Sequence, residues 1–377
     1  MKQKLFICLS ILLVILSSYF AGCIDDETNE QTPAIASWLA KKDALIASNK
    51  PYDLVMSGWF TSEEALQLKS QHSNVLLLAG LSLNWIWENE GWMEFLETVA
   101  SYGHEEPLEI TEEMYLKTPL GEKCAFGWQS EEWGQEEIYA MDPRDPSWVE
   151  LITSFYFNVL DQPQHDGIIV DMLSEQQWWC PEAISDEEWA SATQAIMTLI
   201  EQHNTKDKLI LCNSGCHYED IDLYQDFFDG FLLENFMGEQ CGSSYEEGLQ
   251  AAKMGKLVVY AMDTDDTGMQ DLKMMRLGLT LSLLQDNTYF TYDVGPRDHG
   301  DAWWFPEYDA ALGDAQGSYY QQDGAYFRAF EHGMVVSAPT NTVTVSFTTP
   351  HIDVSTGISS EEFTIEAGDG RIYLNSG

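Results

Sequence analysis

The sequence predicts an α/β chain that folds as a (β/α)8 barrel followed by a small antiparallel β module. Eight short apolar runs, each ending near a polar residue, alternate with helical patterns between residues 52 and 294. Eight such units over about 250 residues are typical of the barrel. No G-x-G-x-x-G follows the first run, which argues against the doubly wound alternative. After residue 294, short strand-like runs are separated by Gly, Asn, Asp and Pro, a pattern typical of an antiparallel sheet.

The predicted barrel strands are too short to be helices. They lie at residues 52–57, 74–80, 137–142, 166–172, 208–213, 230–235, 256–263 and 288–294. The fourth is the clearest, because its apolar run begins at Asp166-Gly167 and ends at Asp171, as a strand buried on both faces would. Helix start signals stand between the runs: Asp145-Pro146, and a capping box at Ser185. Strands that alternate with helices in this way predict a parallel sheet.

The N-terminal segment predicts export. Residues 1–22 carry two lysines, an apolar run and then small residues, the features of a signal peptide. Ala21-Gly22-Cys23 looks like a lipobox, so we expect lipidation of Cys23, an acidic tether over residues 23–34, and anchoring to the outer face of the cell membrane. An ordinary signal peptide or an uncleaved anchor helix is the alternative. The barrel, as the catalytic unit, is then expected over residues 35–310 and the β module over residues 311–377.

Charge and cysteine content limit the partners and the covalent links. The chain has 62 acidic and 18 basic residues and a formal net charge of -44. Such a surface repels phosphates, so we expect no nucleic acid partner. Export permits disulfides, but the number of cysteines beyond Cys23 is odd and allows at most two bridges. Cys180 and Cys241 form one candidate pair, and the pairing otherwise stays open among Cys124, Cys180, Cys212, Cys216 and Cys241.

Polar residues at the strand ends predict a site, because the C-terminal ends of barrel strands converge on one mouth. No Lys or Arg stands among these residues, so the mouth is not built for a phosphate or an anionic cofactor, and no cofactor is expected. No zinc or EF-hand spacing occurs, and no metal is expected. The strand-end residues are Ser57, Asp142, Asp171, Asn213, Glu234, Asp263 and Asp293, with Tyr260 and Tyr292 close by.

Two of these carboxylates indicate a reaction. Asp171 and Glu234 end the fourth and sixth predicted strands, and alternate strands contribute side chains to the same interior layer. A pair of carboxylates on either side of a sugar ring is the machinery of glycoside hydrolysis. We expect Asp171 to be the nucleophile or general base and Glu234 to be the general acid/base. Whether the reaction retains or inverts configuration is left open.

Aromatic residues in the loops at the same mouth predict sugar contacts, because pyranose rings pack on flat side chains. The alternative for each tryptophan is that it only packs its loop against the protein, and for Asp142 that it only caps a turn. The tryptophans are Trp85, Trp87, Trp178, Trp179, Trp303 and Trp304. The polar residues expected to bind substrate are Asp142, Asn213, Tyr260, Asp263, Tyr292 and Asp293.

Several segments resemble the hypothetical glycosyl-hydrolase-like barrel family, a group of exported proteins classed by similarity to glycosidases. They are Met141-Asp142-Pro143-Arg144-Asp145-Pro146-Ser147-Trp148, Asp166-Gly167 to Asp171, Tyr292-Asp293-Val294-Gly295-Pro296, His299-Gly300, Trp303-Trp304 and Glu307-Tyr308-Asp309. Acids at strands four and six also look like the arrangement in α-galactosidase-type barrels, where the first is the nucleophile and the second the acid/base. There the second acid is Asp rather than Glu.

Together these features predict an exported glycoside hydrolase that cleaves an extracellular oligo- or polysaccharide. The alternative is a carbohydrate-binding envelope lipoprotein that has the same barrel but no turnover. Fold alone does not distinguish the two.

Overall fold

The computed structural model of the chain describes residues 32–125, 138–177, 180–213, 224–234, 236, 245–264, 267–295 and 299–376. The predicted signal peptide, Cys23 and most of the predicted tether lie outside the described residues, as do Trp178, Trp179, Cys216 and Cys241. Among the described residues, no helix is long and apolar enough to cross a membrane.

Eight parallel strands form the central sheet, and the first lies beside the last. In their order in the sheet, the strands are β1 (Ala36–Trp38), β2 (Leu54–Ser57), β3 (Leu76–Ala79), β6 (Gly167–Val170), β7 (Leu209–Asn213), β8 (Gly230–Leu233), β9 (Leu257–Met262) and β10 (Thr288–Tyr292). The Phe290 N–H donates to the Ala34 carbonyl at 3.0 Å, which joins β10 to the start of β1. The predicted barrel is therefore confirmed.

One predicted barrel strand is wrong and one barrel strand was missed, although the count of eight is right. Ala36–Trp38 is the true first strand, and a three-residue run was too short to be recognised. The predicted strand 137–142 is not in the barrel: β5 (Ile138–Ala140) pairs antiparallel with β4 (Trp85–Trp87) in a separate ribbon. The two errors cancel, so that β6, β7 and β8 remain the fourth, fifth and sixth barrel strands.

Seven helices are described between the strands: α1 (Lys42–Ser48), α2 (Ser62–Gln71), α3 (Glu90–Ala100), α4 (Pro146–Asp161), α5 (Asp186–His203), α6 (Tyr245–Lys253) and α7 (Leu272–Ser282). The Asp145 carboxylate caps α4 by accepting from the N–H groups of Ser147 and Trp148, at 2.9 and 3.0 Å. Ser185 and Glu188 form the capping box that begins α5. Both predicted helix starts are confirmed.

Alternation along the strands divides the core into two layers. One face of each strand fills the barrel interior, where Leu78, Ile169, Leu211, Leu232 and Val259 are all fully buried. The other face packs against the helices. This alternation decides which strand-end side chains point into the mouth and which point outward.

Gly80 permits the close approach of β3 to β6. An ideal Cβ at residue 80 would lie 1.8 Å from the Ile169 carbonyl oxygen, so any side chain there would push the two strands apart. The strand that carries Asp171 is therefore positioned by a residue on its neighbour.

The C-terminal sheet has six antiparallel strands, as predicted. Its order is β11 (Tyr320–Gln322), β12 (Ala325–Phe330), β13 (Gly333–Ala338), β16 (Asp369–Asn375), β14 (Val343–Asp353) and β15 (Ser359–Ile365). Arg276 on α7 forms a fork to Asp369 on β16, with Nε and NH2 at 2.9 and 3.0 Å from the two carboxylate oxygens. Arg371 also contacts Asp369, at 3.0 Å. This buried ion-pair network joins the sheet to the barrel.

One disulfide links the loop after β6 to the segment before β5. It joins Cys124 to Cys180, 56 residues apart in the chain. The candidate pair of Cys180 with Cys241 is therefore wrong, because sequence spacing could not show that residues 116–125 fold back against this loop. Cys212 is a free, buried thiol.

Candidate active site

Two carboxylates lie together at the barrel mouth. Asp171 directly follows β6 and Glu234 directly follows β8. Asn213, the last residue of β7, stands between them in the sheet. Its side-chain Nδ2 donates to Asp171 Oδ1 at 2.8 Å and to Glu234 Oε2 at 2.9 Å. Since both oxygens bind the same nitrogen, they can be no farther apart than the two bonds laid end to end, which is under about 6 Å.

A local turn orients the Asp171 carboxylate. The backbone N–H of Met172 donates to Asp171 Oδ1 at 2.9 Å. Met172 has a φ of 51°, in the left-handed region that non-glycine residues rarely adopt, so the chain bends sharply as it leaves the strand. Strain of this kind is often found at functional sites.

Burial and the charge of Glu234 raise the pKa of Asp171 to about 7, although the hydrogen bonds from Asn213 and Met172 act in the opposite direction. Two carboxyl groups this close titrate as a unit, so the value belongs to the pair. The pair therefore takes up and releases a single proton near neutral pH. A single proton on two acids is what acid–base chemistry at a glycosidic bond requires.

Two donors face the far oxygen of Glu234. The Trp38 indole Nε1 donates to Glu234 Oε1 at 3.1 Å, and His299 Nε2 lies 3.8 Å from the same oxygen. The other ring nitrogen of His299, Nδ1, lies 2.9 Å from Asp293 Oδ2. Asn213 holds Oε2, so both oxygens of Glu234 are oriented by neighbouring side chains.

The acids after β9 and β10 are also at the mouth. Asp263 and Asp293 are both buried. Burial raises the pKa of Asp293, whereas the hydrogen bond and the charge of His299 lower it. Burial lowers the pKa of His299, but the hydrogen bond and the charge of Asp293, together with Glu234 and Asp263, raise it to about 9. No group of three or more His, Cys, Asp or Glu within the described ranges could hold a metal ion.

Two predicted site tyrosines point away from the barrel interior. Tyr260 lies between two interior residues of β9, so its ring points outward, where it packs 4.6 Å from the ring of Phe236. The Tyr292 hydroxyl accepts from the Asp271 N–H at 2.8 Å, and its ring lies 5.5 Å from that of Trp303. The period of two along a strand places both on the helix-facing side.

Asp142 does not follow a barrel strand, because β5 belongs to the antiparallel ribbon. Its carboxylate forms a fork with Arg144, whose Nε and NH2 both lie 2.9 Å from its oxygens, and it also accepts from the Arg144 N–H. The structure therefore gives Asp142 the geometry of a turn cap, the alternative interpretation of this residue.

The predicted tryptophans have different surroundings. Trp85 is buried and lies 6.2 Å from Trp189, which is packing inside the protein. Trp87 is partly buried and stacks on Trp92 of α3, with ring centres 5.9 Å apart.

The tryptophan pair after β10 packs on other aromatic residues. Trp303 is partly buried beside Tyr292. Trp304 packs against Tyr52 and Tyr308, with ring centres 5.2 and 5.3 Å away. Its indole N–H donates to Asp309 at 2.9 Å. These contacts fix the loop that follows His299.

Sequence reasoning missed two residues that contact Glu234. Trp38 was missed because its strand has only three residues. His299 was missed because the residues that surround it come from other strands. The available signal was its position six residues after Asp293, in a loop that leaves a strand end.

An eight-stranded parallel barrel with acids at its strand ends is a fold on which glycoside hydrolases are built. The chain belongs to hypothetical glycosyl hydrolase family 15, whose profile matches residues 100–334 and so includes Asp171, Glu234, Asp293 and His299. The predicted resemblance is confirmed, and the chain is assigned to the glycoside hydrolases. No curated protein matches the chain.

Solved structures share the fold at low sequence identity. An α-amylase from Malbranchea cinnamomea has a TM-score of 0.52 and 12% identity, covering 91% of this chain and 96% of its own. A maltogenic α-amylase, AmyB, from Thermotoga neapolitana has a TM-score of 0.49 and 10% identity, covering 91% and 98%. The glycoside hydrolase domain of PelA from Pseudomonas aeruginosa has a TM-score of 0.48 and 14% identity, covering 71% and 97%. The likeness to the first of these structures shows that the fold is shared, and nothing beyond the fold.

Proposed function

We propose that the protein hydrolyses O-glycosidic bonds of an oligo- or polysaccharide by a two-carboxylate mechanism. The observation that carries the proposal is the Asn213 amide, which bonds one oxygen of Asp171 and one oxygen of Glu234 at the same mouth. Two like charges this close are costly, so a pair of acids that served only the fold would be expected to lie apart. Here Asn213 bonds to both carboxylates, and both are partly exposed at the mouth.

The spacing supports retention of configuration. Carboxyl groups about 5 to 5.5 Å apart suit a double displacement, whereas about 6.5 to 9.5 Å leaves room for a water molecule in an inverting enzyme. The bonds from the shared amide keep the two oxygens that accept them under about 6 Å apart, below the inverting range. We therefore propose a retaining mechanism.

In the first step, an Asp171 oxygen attacks the anomeric carbon while the Glu234 carboxyl donates its proton to the departing glycosidic oxygen. The C–O bond to the leaving sugar breaks and an ester to Asp171 forms. In the second step, the Glu234 carboxylate removes a proton from water, which attacks the same carbon and releases Asp171. Asp263 and Asp293 are proposed to bind sugar hydroxyls.

The N-terminal segment supports the proposed cellular location, and the net charge supports the proposed class of substrate. The signal-peptide pattern, Cys23 and the acidic tether support an exported lipoprotein on the outer face of the membrane. A tethered barrel there would meet extracellular glycans, and its net charge of -44 suits uncharged rather than anionic chains.

The test is a glycan panel with the purified full-length protein and three variants. Asp171→Asn and Glu234→Gln remove one ionisable group each with little change in shape, and each should lower kcat/KM by about 1,000-fold or more. Glu201→Gln, an exposed residue on α5, is the matched control and should leave activity unchanged. Cleavage that survives both site substitutions would overturn the proposal. Binding without product release would instead support the carbohydrate-binding alternative.

The roles are separated by azide rescue. If Asp171 is the nucleophile, Asp171→Gly with azide should give a glycosyl azide of inverted configuration. Glu234→Ala with azide should give one of retained configuration, because the covalent intermediate still forms. The opposite pattern would exchange the two roles, and inversion by the wild-type protein would exclude double displacement.

A further inference from the structure

The imidazole of His299 lies between two acids. Nδ1 is 2.9 Å from Asp293 Oδ2, and Nε2 is 3.8 Å from Glu234 Oε1. The side chain is 11% exposed, so water cannot satisfy both nitrogens in place of these partners. The ring also lies edge-on to Trp38, with centres 6.2 Å apart.

His165 shows what a structural buried histidine looks like in the same protein. Its Nδ1 lies 3.0 Å from the Val159 carbonyl and its Nε2 lies 3.2 Å from the Phe60 backbone, and no carboxylate of the described residues is bonded to either nitrogen. Burial lowers the pKa of His165, so it stays neutral. His299 differs because both of its nitrogens face carboxylates rather than the backbone.

The charges around His299 come from every element packed at this end of the mouth. Asp293 follows β10, Asp263 follows β9, Glu234 follows β8 and Asp171 follows β6. All four are acids, and Asp263, Asp293 and Glu234 raise the pKa of His299 to about 9. The imidazole is therefore a cation at neutral pH, and it is the positive group nearest to Glu234 among the described ion pairs.

We propose that His299, held by Asp293, is a positioning residue that presents a cationic N–H to Glu234 and so fixes the orientation and the protonation range of that carboxyl. The inference rests on the proposed function only for its catalytic consequence. The distances from His299 to Asp293 and to Glu234 do not depend on turnover.

The positive charge of His299 affects the protonation of the Asp171–Glu234 pair. An opposite charge within about 4 to 6 Å of a carboxyl group lowers its pKa by about 1 to 3 units. Asp171 and Asp293 place like charge near Glu234, and His299 Nε2, 3.8 Å from Glu234 Oε1, is the group of opposite sign that offsets it. Oε1 of Glu234 accepts from the Trp38 indole and lies 3.8 Å from His299 Nε2, whereas Oε2 accepts from Asn213.

The first experiment does not use activity. NMR titration of the eight histidines in the full-length protein, with His299→Gln to assign the resonance, should show His299 still protonated at pH 8. Asp293→Asn should lower its midpoint by about one pH unit or more, and Glu234→Gln should lower it by a smaller amount. A midpoint at or below the usual value of about 6.5, unaffected by either variant, would overturn the proposal.

The second experiment measures the pH dependence of kcat/KM. His299→Gln should move the alkaline limb up by about one pH unit or more, because the pair loses its stabilising cation and holds its proton to higher pH. His299→Lys, which restores a positive charge, should move the limb back toward wild type. His332→Gln is the control, since His332 is 49% exposed and lies beside Glu331 away from the mouth.

The outcomes are distinguishable. A folded His299→Gln protein with an unmoved alkaline limb overturns the positioning role. If that variant does not fold, the wild-type and Asp293→Asn titrations decide. If no glycan is cleaved by the wild type, the proposed function fails. The change that Glu234→Gln makes in the titration midpoint of His299 still tests the contact between His299 and Glu234.

Discussion

Trp38 and Glu234, 196 residues apart in the chain, are joined by a 3.1 Å hydrogen bond from the indole Nε1 to the carboxylate Oε1. The bond connects the first barrel strand to the end of the sixth. It means that the orientation of a candidate catalytic acid depends on the shortest strand in the barrel.

Trp38→Phe removes this donor and keeps most of the ring. A hydrogen bond to a charged group contributes about 1.5 to 3 kcal/mol, so kcat should fall by about 10- to 100-fold. Trp148→Phe is the matched control, because Trp148 is also buried and its indole nitrogen has no hydrogen-bond partner in the described part of the chain. Equal kcat for the two variants, with both folded by thermal melting, would contradict the role given to Trp38.

Asn213→Ala removes the amide shared by the pair. Asp171 and Glu234 would then repel each other without a common donor, so we expect kcat to fall by about 100-fold or more while the fold persists. Asn213→Asp should lower kcat further and should also lower the stability of the protein, because it adds a third acid to a buried site. Steady-state kinetics and thermal melts check both variants. A change in kcat under threefold for Asn213→Ala would show that the Asn213 amide does not contribute to catalysis.

The pH dependence of catalysis follows from the shared proton. Because the pKa of Asp171 is raised to about 7, the pair is singly protonated below that pH and loses its proton above it. kcat/KM should therefore fall tenfold per pH unit above about pH 7. A flat profile up to pH 9 in a stable protein would show that the pair does not hold the essential proton.

The same raised pKa predicts an effect on stability. The folded protein keeps on the Asp171–Glu234 pair a proton that the unfolded chain releases near pH 4, so the raised pKa makes stability fall as pH rises from about 4 to 7. Asp171→Asn removes the effect and should raise Tm relative to wild type at pH 8 but not at pH 4. Differential scanning calorimetry at the two pH values measures it, and equal Tm values at pH 8 would contradict the shift.

Arg276→Met should destabilise the protein, because Asp369 is only 3% exposed and would keep only the Gly370 N–H and Arg371 of the partners described for it. Breaking a buried ion pair costs about 3 to 5 kcal/mol, so we expect the free energy of unfolding to fall by about 3 kcal/mol. Lys206→Met is the control: Lys206 and Asp161 are both 56% exposed, and such a pair contributes about 1 kcal/mol at most. Urea unfolding compares the two, and similar losses would show that the α7–β16 contact is not held by its ion pair.

Local patterns in the sequence were sufficient for the fold class and for the pair. β6 is a continuous apolar run with an acid at its end, and the same is true of β8, so Asp171 and Glu234 could be placed by counting strands. The capping residues Asp145 and Ser185 were also recognised correctly, because a cap depends only on the next few residues.

The direction in which a side chain near a strand end points was harder to predict. Tyr260 and Tyr292 are close to strand ends in the sequence, yet their rings point toward the helices. A shift of one residue along a strand changes the face, and an apolar run without alternation does not show which residues face inward. The strand predicted at residues 137–142 has the composition of a barrel strand, but it pairs with Trp85–Trp87 outside the barrel.

The apolar run and the terminal acid at residues 166–172 by themselves determined that a buried strand would present Asp171 at a barrel mouth. Only the tertiary structure decided what surrounds that acid: Asn213 between it and Glu234, and Trp38 and His299 on the far side of Glu234. The physical reason is that strand identity is encoded locally, by composition over a few residues, whereas the charge and the orientation of a carboxyl group are set by neighbours that folding brings from distant parts of the chain.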